Sequence, residues 1–236
     1  SDSGEGAQKC AQSFATVAAK MGNGVWTVEI IPAEIQPPAR SIPGASGNRI
    51  RIGSYYVTNG GDEADLVVAF NEQVLLGRVN AGELKKGSII PLEDKWRSDP
   101  DSQIQQEYKE TYERLIEDGY RVYEIPMEEE CLKYVDDPRR GKNMFVLGML
   151  NNIYSQDIEL SRDQIAYTFA KKSQKIIQAN ITLLEAVARS GGFTRDAILK
   201  NILVIRGGLE SPEVIALNVK ELLENAIDAG ASNVTV

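Results

Sequence analysis

Apolar positions fall at helical spacing early in the chain, at Ala11, Phe14, Ala15, Ala18 and Ala19, just after a turn containing Gly4 and Gly6. Gly22 and Gly24 predict the end of this helix, and Val25 to Ile31 reads as a buried strand. Turn, helix and strand in that order are the later parts of a βαβ unit whose first strand is not shown. From Pro32 to Gly47 the pattern breaks: four prolines and two glycines exclude a helix or a central strand and predict a long stiff loop. Loops of that length inside a domain tend to be functional or mobile. Asn48 to Ile52 alternates polar and apolar residues, as a half-buried strand does. Ser54 to Thr58 is expected to pair with it across Gly53, closed by Asn59-Gly60-Gly61.

Leu66 to Phe70 is a continuous apolar run of the parallel-sheet type. A helix is expected over Asn71 to Val79, then strands at Ser88 to Leu92 and Arg121 to Pro126. Between those two strands, residues 93–118 are highly charged with Tyr108, Tyr112, Leu115 and Ile116 at helical spacing, which predicts an exposed helical insertion. Asn143 to Tyr154 predicts a buried helix. Ser161 to Gln164 has the form of a capping box opening another, and a long helix follows from Lys172 to Arg189. Beyond Gly191-Gly192 the pattern predicts a strand at Ile202 to Ile205, a helix from Ser211-Pro212 to Ala229, and a strand at Val234 to Val236, itself a candidate for the first-strand position. The expected fold is α/β: a mostly parallel sheet with helices on both faces, Rossmann-like over residues 1–192, with a short βαβ (strand-helix-strand) tail over 193–236.

Composition narrows the function without naming it. A formal charge of −8 and a pI near 4.8 argue against a protein that tracks nucleic-acid phosphates with clustered Lys and Arg. The chain has no histidine, which removes His-dependent triads and His-ligated metals. Cys10 and Cys131 are too few for an iron–sulfur cluster, which takes about four thiolates. As unpaired thiols they suit a reducing compartment, and a cytoplasmic location is expected; each equally reads as a small buried apolar residue. No apolar run reaches the roughly 18 residues of a membrane span.

Two segments carry candidate chemistry. Gly4-Glu-Gly-Ala-Gln8 has G-x-G, but Lys9 stands where a dinucleotide fingerprint wants a small residue. The free N–H groups of the following helix would still attract an anion, such as a phosphate or a carboxylate. In the proline loop, Arg40, Ser41, Ser46 and Arg49 are the polar groups, and a guanidinium can grip a carboxylate through paired hydrogen bonds. The same loop reads equally as a stiff exposed or interface segment. The acidic runs Glu128-Glu129-Glu130 and Asp136-Asp137, with Arg139-Arg140 and Lys171-Lys172, read as solvated or partner-facing surface.

Taken together the segments resemble the gamma domain of 2-oxoacid:ferredoxin oxidoreductases. The resemblance rests on Gly4-Glu-Gly-Ala-Gln8, on Pro32-Ala33-Glu34-Ile35, on the loop from Pro37 to Gly47, on Gly60 to Asn71, on Lys142-Asn143-Met144 with Leu147-Gly148, and on Phe169-Ala-Lys-Lys172 with Gln178-Ala-Asn180. The loop is similar to that of bacterial 2-oxoglutarate enzymes of the family, although Pro38-Ala39-Arg40 departs from the smaller residues many members carry.

The resemblance implies a subunit of a hetero-oligomeric oxidoreductase that converts 2-oxoglutarate or pyruvate to an acyl-CoA while reducing ferredoxin, or runs the reverse CO2 fixation. Thiamine diphosphate, Mg2+ and iron–sulfur clusters are then expected on partner chains, with coenzyme A as co-substrate. Ferredoxin would be met through those partners, since an acidic surface repels an acidic carrier. Gly4, Gly6 and Gln8 are the expected cofactor contacts, and Arg40, Ser41 and Ser46 the expected substrate contacts, with no catalytic residue in this chain. A nucleotide-binding regulatory module and a purely architectural subunit are the alternatives.

Overall fold

The computed structural model describes residues 1–34, 37–138 and 141–189, together with the backbone of two strands further on, 202–206 and 213–217. The first helix, α1, spans Ala7–Lys20 and buries Cys10, Phe14, Val17 and Ala18. It leads into β1 (Gly24–Ile30), which pairs antiparallel with β2 (Gly47–Gly53) from Gly24↔Gly53 to Ile30↔Gly47. The ribbon so formed is not buried as the pattern predicts. Trp26 and Val28 are exposed on β1, on a face that no helix covers among the described residues. Nor does Ser54 to Thr58 pair with β2, since β1 holds that role; the chain instead folds over the start of the ribbon. A Cβ on Gly24 would lie 2.0 Å from the Tyr55 carbonyl oxygen.

A parallel sheet forms the other half. It runs β3 (Ala64–Leu66), β4 (Leu84–Glu93) and β5 (Arg121–Ile125) in that order, and the ladder extends past β3 through the Ala69↔Leu92 bridge. Between β3 and β4 lies α2 (Glu72–Asn80), whose cap is the Asn71 side chain accepting from Val74 N–H at 2.8 Å. Between β4 and β5 lies α3 (Ser102–Glu117), which is no exposed insertion. Its charged face is solvated, but Tyr108, Thr111 and Leu115 are buried. Tyr108 and Leu115 join Ala69, Leu75, Ile90 and Leu92 in the core on this side of the sheet. The crossover helix of a parallel pair must cover the sheet, and this supplies the burial that the charge-rich sequence conceals.

The opposite core is larger. It gathers α1 with α4 (Met127–Cys131), α5 (Lys142–Ile153), α6 (Ile158–Thr168) and α7 (Gln174–Arg189) around Phe14, Phe70, Met144, Leu147, Ile165 and Leu184. Ten consecutive residues of α5, Lys142 to Asn151, are buried, as its apolar run predicts. Gly148 lets α5 and α7 approach: a Cβ there would stand 2.6 Å from the Leu184 carbonyl oxygen.

The predicted capping box at Ser161 is overturned. The helix starts at Ile158, and Asp157 is its cap, accepting from the N–H groups of Glu159 and Leu160 at 2.8 and 3.1 Å. Ser161 instead lies buried one turn in, accepting from Asn151 Nδ2 at 2.6 Å. Farther on, β6 (Ile202–Arg206) pairs antiparallel with β7 (Glu213–Leu217). Residues 213–217 are therefore a strand rather than the start of a helix. The expected boundary at residue 192, the helix beyond 217 and the strand at Val234 to Val236 lie outside the described residues.

The α/β class holds, with three parallel strands covered by helices and a separate antiparallel ribbon beside them.

Candidate functional site

In an α/β sheet, ligands bind outside the carboxyl ends of the strands. Here those ends carry a dense cluster of charge. Phe70, Asn71 and Glu72 follow β3; Glu93 ends β4, with Lys95 and Trp96 just after it; and Pro126 to Glu128 follow β5. The Gly4–Gly6 turn and the proline loop both converge on this end. The Arg40 N–H donates to both oxygens of the Asp2 carboxylate, at 3.1 and 3.0 Å, and Ser3 N–H donates to the Gly44 carbonyl at 3.1 Å. Two segments far apart in sequence are thus joined, as a shared role for them requires.

Arg40 occupies the centre of one half of the cluster. It has a positive φ of 53°, which the hydrogen bonds to Asp2 help to hold. Its guanidinium pairs with the fully buried Glu72 and stands 3.4 Å from Glu107. It also lies 5.0 Å from the centre of the Trp96 ring. Trp96 is fixed by its indole N–H donating to the Phe70 carbonyl at 2.9 Å. Most of the Arg40 charge is therefore neutralised within the chain, while its Nε is buried without a partner among the described residues.

Lys142 occupies the other half, and sequence reasoning passed over its chemistry. Its side chain is wholly buried, with the ammonium 2.6 Å from Glu5, 3.6 Å from Glu128 and 5.0 Å from the centre of the Phe70 ring. Burial disfavours that ammonium, but Glu5, Glu93 and Glu128 together outweigh burial and leave its pKa raised. Glu93 is also wholly buried. It accepts from Glu128 N–H at 3.1 Å through one oxygen. Burial pushes Glu93 up to about 7, with Asp94 and Glu128 adding to the shift and Lys142 opposing it. A carboxyl group there changes charge near neutrality, which is the property of a proton-handling group.

Glu128 and Glu130 were expected on a solvated face. Instead Glu128 accepts from Lys95 at 2.7 Å and Glu130 is buried, because α4 tucks beneath the cluster. The only advance signal for these residues was position. Glu93 lies one residue, Glu128 two and Glu130 four beyond a predicted strand, where an α/β sheet places its chemistry.

The other expected contacts divide. Gly4 and Gly6 both take positive φ, 89° and 79°. Gly6 also sits against α5, where a Cβ would be 2.9 Å from Asn143 Nδ2. No side chain caps α1. Gln8 is turned away, its amide donating to the Ile30 carbonyl at 3.2 Å, and Lys9 lies 5.6 Å from the centre of the Phe169 ring. The Ser41 hydroxyl donates to the Pro38 carbonyl at 2.6 Å at the exposed edge of the loop. Ser46 faces a separate cavity of about 240 Å³, bounded by α1, β2, the β3 segment and α5. Both cysteines are buried, and burial pushes each thiol up to about 12, so neither is a ready nucleophile. Arg139-Arg140 lies outside the described residues, and Lys171-Lys172 is exposed as expected.

Comparison with known proteins now decides the family. The profile of the pyruvate ferredoxin/flavodoxin oxidoreductase family matches residues 1–190. The chain belongs to that family. The 2-oxoglutarate oxidoreductase subunit KorA of Mycobacterium tuberculosis (strain ATCC 25618 / H37Rv) is 33% identical over 196 residues, covering 78% of this chain and 29% of KorA. The chain thus spans under a third of that relative's length.

Among solved structures, the fold is similar to 2-oxoglutarate:ferredoxin oxidoreductase from Magnetococcus marinus, with 2-oxoglutarate, coenzyme A and succinyl-CoA bound. The TM-score is 0.58 at 20% identity, over 86% of this chain and 34% of that one. Pyruvate oxidoreductase subunit PORC from Thermotoga maritima matches with a TM-score of 0.51 at 19% identity, over 80% of this chain and 91% of the subunit. The gamma subunit of a keto/oxoacid ferredoxin oxidoreductase from Geobacter sulfurreducens matches with a TM-score of 0.52 at 11% identity, over 80% and 94%. The last two are covered nearly end to end, so the described fold is that of a gamma-type subunit of 2-oxoacid:ferredoxin oxidoreductases.

Proposed function

We propose that this chain is the gamma part of a 2-oxoacid:ferredoxin oxidoreductase acting on 2-oxoglutarate or pyruvate, and that it flanks the site where an acyl-CoA is formed or consumed. The observation that carries this reading is the family match over residues 1–190, joined to the convergence of the glycine turn and the proline loop on one charged end of the sheet. The KorA relative is a 2-oxoglutarate oxidoreductase subunit, which favours 2-oxoglutarate.

In this reading thiamine diphosphate, Mg2+ and iron–sulfur clusters belong to partner subunits in the cytoplasm, and those partners pass electrons to ferredoxin. Thiamine diphosphate supplies the carbon nucleophile that opens the 2-oxoacid. This chain supplies position and charge. The turn from Gly4 to Gln8 presents the uncapped N–H groups of α1 to an anionic part of a cofactor or of coenzyme A. Arg40 and Ser41 meet substrate from the proline loop, with the Arg40 Nε, unpartnered among the described residues, as a donor to a carboxylate or phosphate; Ser46, facing the separate cavity, is not part of this contact. Glu72 and Trp96 keep Arg40 in place.

The test is the assembled complex carrying Arg40→Lys. Lysine keeps a cation beside Glu72 but loses the planar Nε–H donor. Assembly should be intact, and the KM for oxoacid or coenzyme A should rise about tenfold with kcat nearly unchanged, the pattern of lost binding common to ground and transition states. Weakened assembly with unchanged turnover per assembled complex would make the loop architectural instead.

A further inference from the structure

The two halves of the charged end are joined on both sides. Along one side the Lys142 ammonium stands 2.6 Å from one oxygen of Glu5, and the other Glu5 oxygen accepts from the Asp2 N–H at 2.8 Å. The Asp2 carboxylate in turn accepts from the Arg40 N–H with both of its oxygens. Along the other side Lys142 lies 3.6 Å from Glu128, and Glu128 accepts from Lys95 at 2.7 Å. The Lys95 ammonium lies 4.2 Å from the centre of the Trp96 ring, the same ring that Arg40 approaches to 5.0 Å. The contacts close into a circuit that starts and ends at Lys142.

Lys142 is an unusual lysine in this chain. Lys95 and Lys133 keep 31% and 47% of their side chains in solvent, whereas Lys142 keeps none. A wholly buried ammonium is costly, and this one stays charged because the surrounding carboxylates outweigh burial. Its position on α5, among buried neighbours, makes it a fixed point.

Arg40, by contrast, needs to be held. A φ of 53° is a conformation that an arginine adopts only when its surroundings impose it. Asp2 satisfies its N–H, and Asp2 is tied in turn to Glu5. The turn that carries Glu5 has little stiffness of its own, since the glycines on either side, Gly4 and Gly6, both take positive φ. The ion pair between Glu5 and Lys142 therefore fastens the turn, and the turn fastens the loop.

We propose that Lys142 is a positioning residue: through Glu5 and Asp2 it fixes the backbone of Arg40, and so aims the guanidinium that meets substrate in the proposed role of this chain. The purpose of the relay rests on that role; its geometry does not. A contact held to one place by a buried second residue loses less freedom on binding than one on a loose loop.

The variant that tests it is Glu5→Gln, because Lys142→Met would strand Glu5 without its cation. Glutamine keeps an acceptor for the Asp2 N–H and loses the charge that Lys142 grips, while Lys142 retains Glu128. Hydrogen exchange on the full chain reads the first step. The Arg40 amide should exchange about tenfold faster in the variant. The Ala33 amide, which donates to the Pro43 carbonyl at 2.8 Å in the same loop and takes no part in the circuit, should keep its rate. No change at Arg40, or equal quickening at both amides, would overturn the proposal.

Steady-state kinetics of the assembled complex read the second step. Glu5→Gln should raise KM for oxoacid or coenzyme A about fivefold with kcat nearly unchanged, the mark of lost binding rather than lost folding. Combined with Arg40→Lys it should raise KM by less than about twofold more, because both residues act along one path. Full multiplication of the two effects would overturn the relay, since Glu5 would then reach substrate by another route. The relay and the substrate role of Arg40 fail separately. If Arg40 exchange quickens but neither variant moves KM, the positioning stands and the substrate role falls. If Arg40→Lys moves KM and Glu5→Gln does not, the substrate role stands and the positioning falls.

Discussion

At the carboxyl ends of β3 to β5 the chain buries charge: Glu72, Glu93 and Lys142 are each 0% exposed. On the β1–β2 ribbon it does the reverse, leaving Trp26 at 43% and Val28 at 45% exposed. Both departures cost stability in an isolated chain. Buried ions lose hydration that their partners only partly replace, and exposed apolar surface forgoes the gain of burial. The two regions thus differ in what would repay them. The charged end pairs most of its own charges and leaves only a few orphaned atoms. The ribbon is complete only when something apolar covers it, and suits a protein partner.

The comparison breaks most sharply at Arg40. Truncating it leaves Glu72 as a buried carboxylate without its cation, and Arg40→Ala should lower unfolding stability by about 3–5 kcal/mol in urea titration. Replacing both partners, Arg40→Met with Glu72→Leu, should restore most of that loss, because no charge is then stranded. If the single and double variants are equally unstable, the pair is not what the loop depends on. This is also why Arg40→Lys, rather than Arg40→Ala, separates binding from folding in the assembled complex.

Glu93 gives the next largest effect, and a pH dependence with a definite sign. Its folded pKa of about 7 stands above its ordinary value of 4.5, so near pH 6 the folded state holds a proton that the unfolded chain has released. The stability this confers is full below about pH 4.5 and is lost as pH rises through about 7, a fall of about 2–3 kcal/mol. Glu93→Gln should remove that fall, so the variant gains on the parent between pH 5 and pH 8. Chemical denaturation at those two pH values measures it, and parallel pH profiles for parent and variant would refute the assignment.

A smaller effect sharpens the picture of α3. The Tyr108 hydroxyl donates to Glu124 at 2.9 Å beneath a helix whose sequence looked wholly surface-exposed. Tyr108→Phe should cost about 1 kcal/mol, the net worth of one such bond. A loss near zero would mean that α3 is held by its apolar contacts alone.

Much of this fold was legible because Leu66 to Phe70, Ile89 to Leu92 and most of α5 are nearly continuous apolar runs, and such runs survive without context. The ribbon was misjudged for the same reason: Val25 to Ile31 is as apolar as a buried strand, and nothing local says that Trp26 stays exposed. At the site, the glycine turn and Arg40 were visible as unusual chemistry in unusual backbone. Lys142 and Glu93 were not, because a lysine before an apolar helix and a glutamate after an apolar strand look like ordinary end caps. Only the tertiary fold brings Lys142 to Glu5, 137 positions away in sequence. The capping box at Ser161 failed because the true cap, Asp157, offers the same hydrogen-bonding chemistry one turn earlier.

The smallest expected change in stability falls on the ribbon, and there it carries the most about assembly. Trp26 lies on the outer face opposite Arg51 in the β1–β2 register, and Trp26→Thr keeps a residue suited to a strand. An exposed position of this kind should shift unfolding stability by no more than about 0.5–1 kcal/mol. If the ribbon is a partner surface, the same variant should weaken association with the partner subunits by tenfold or more, since a buried tryptophan is a common anchor of interfaces. Analytical ultracentrifugation of the mixed subunits reads the association, and urea titration of the lone chain reads the stability. An assembled complex indifferent to Trp26→Thr would leave the ribbon's apolar face as a cost with no return, and would move the partner surface to another part of the molecule.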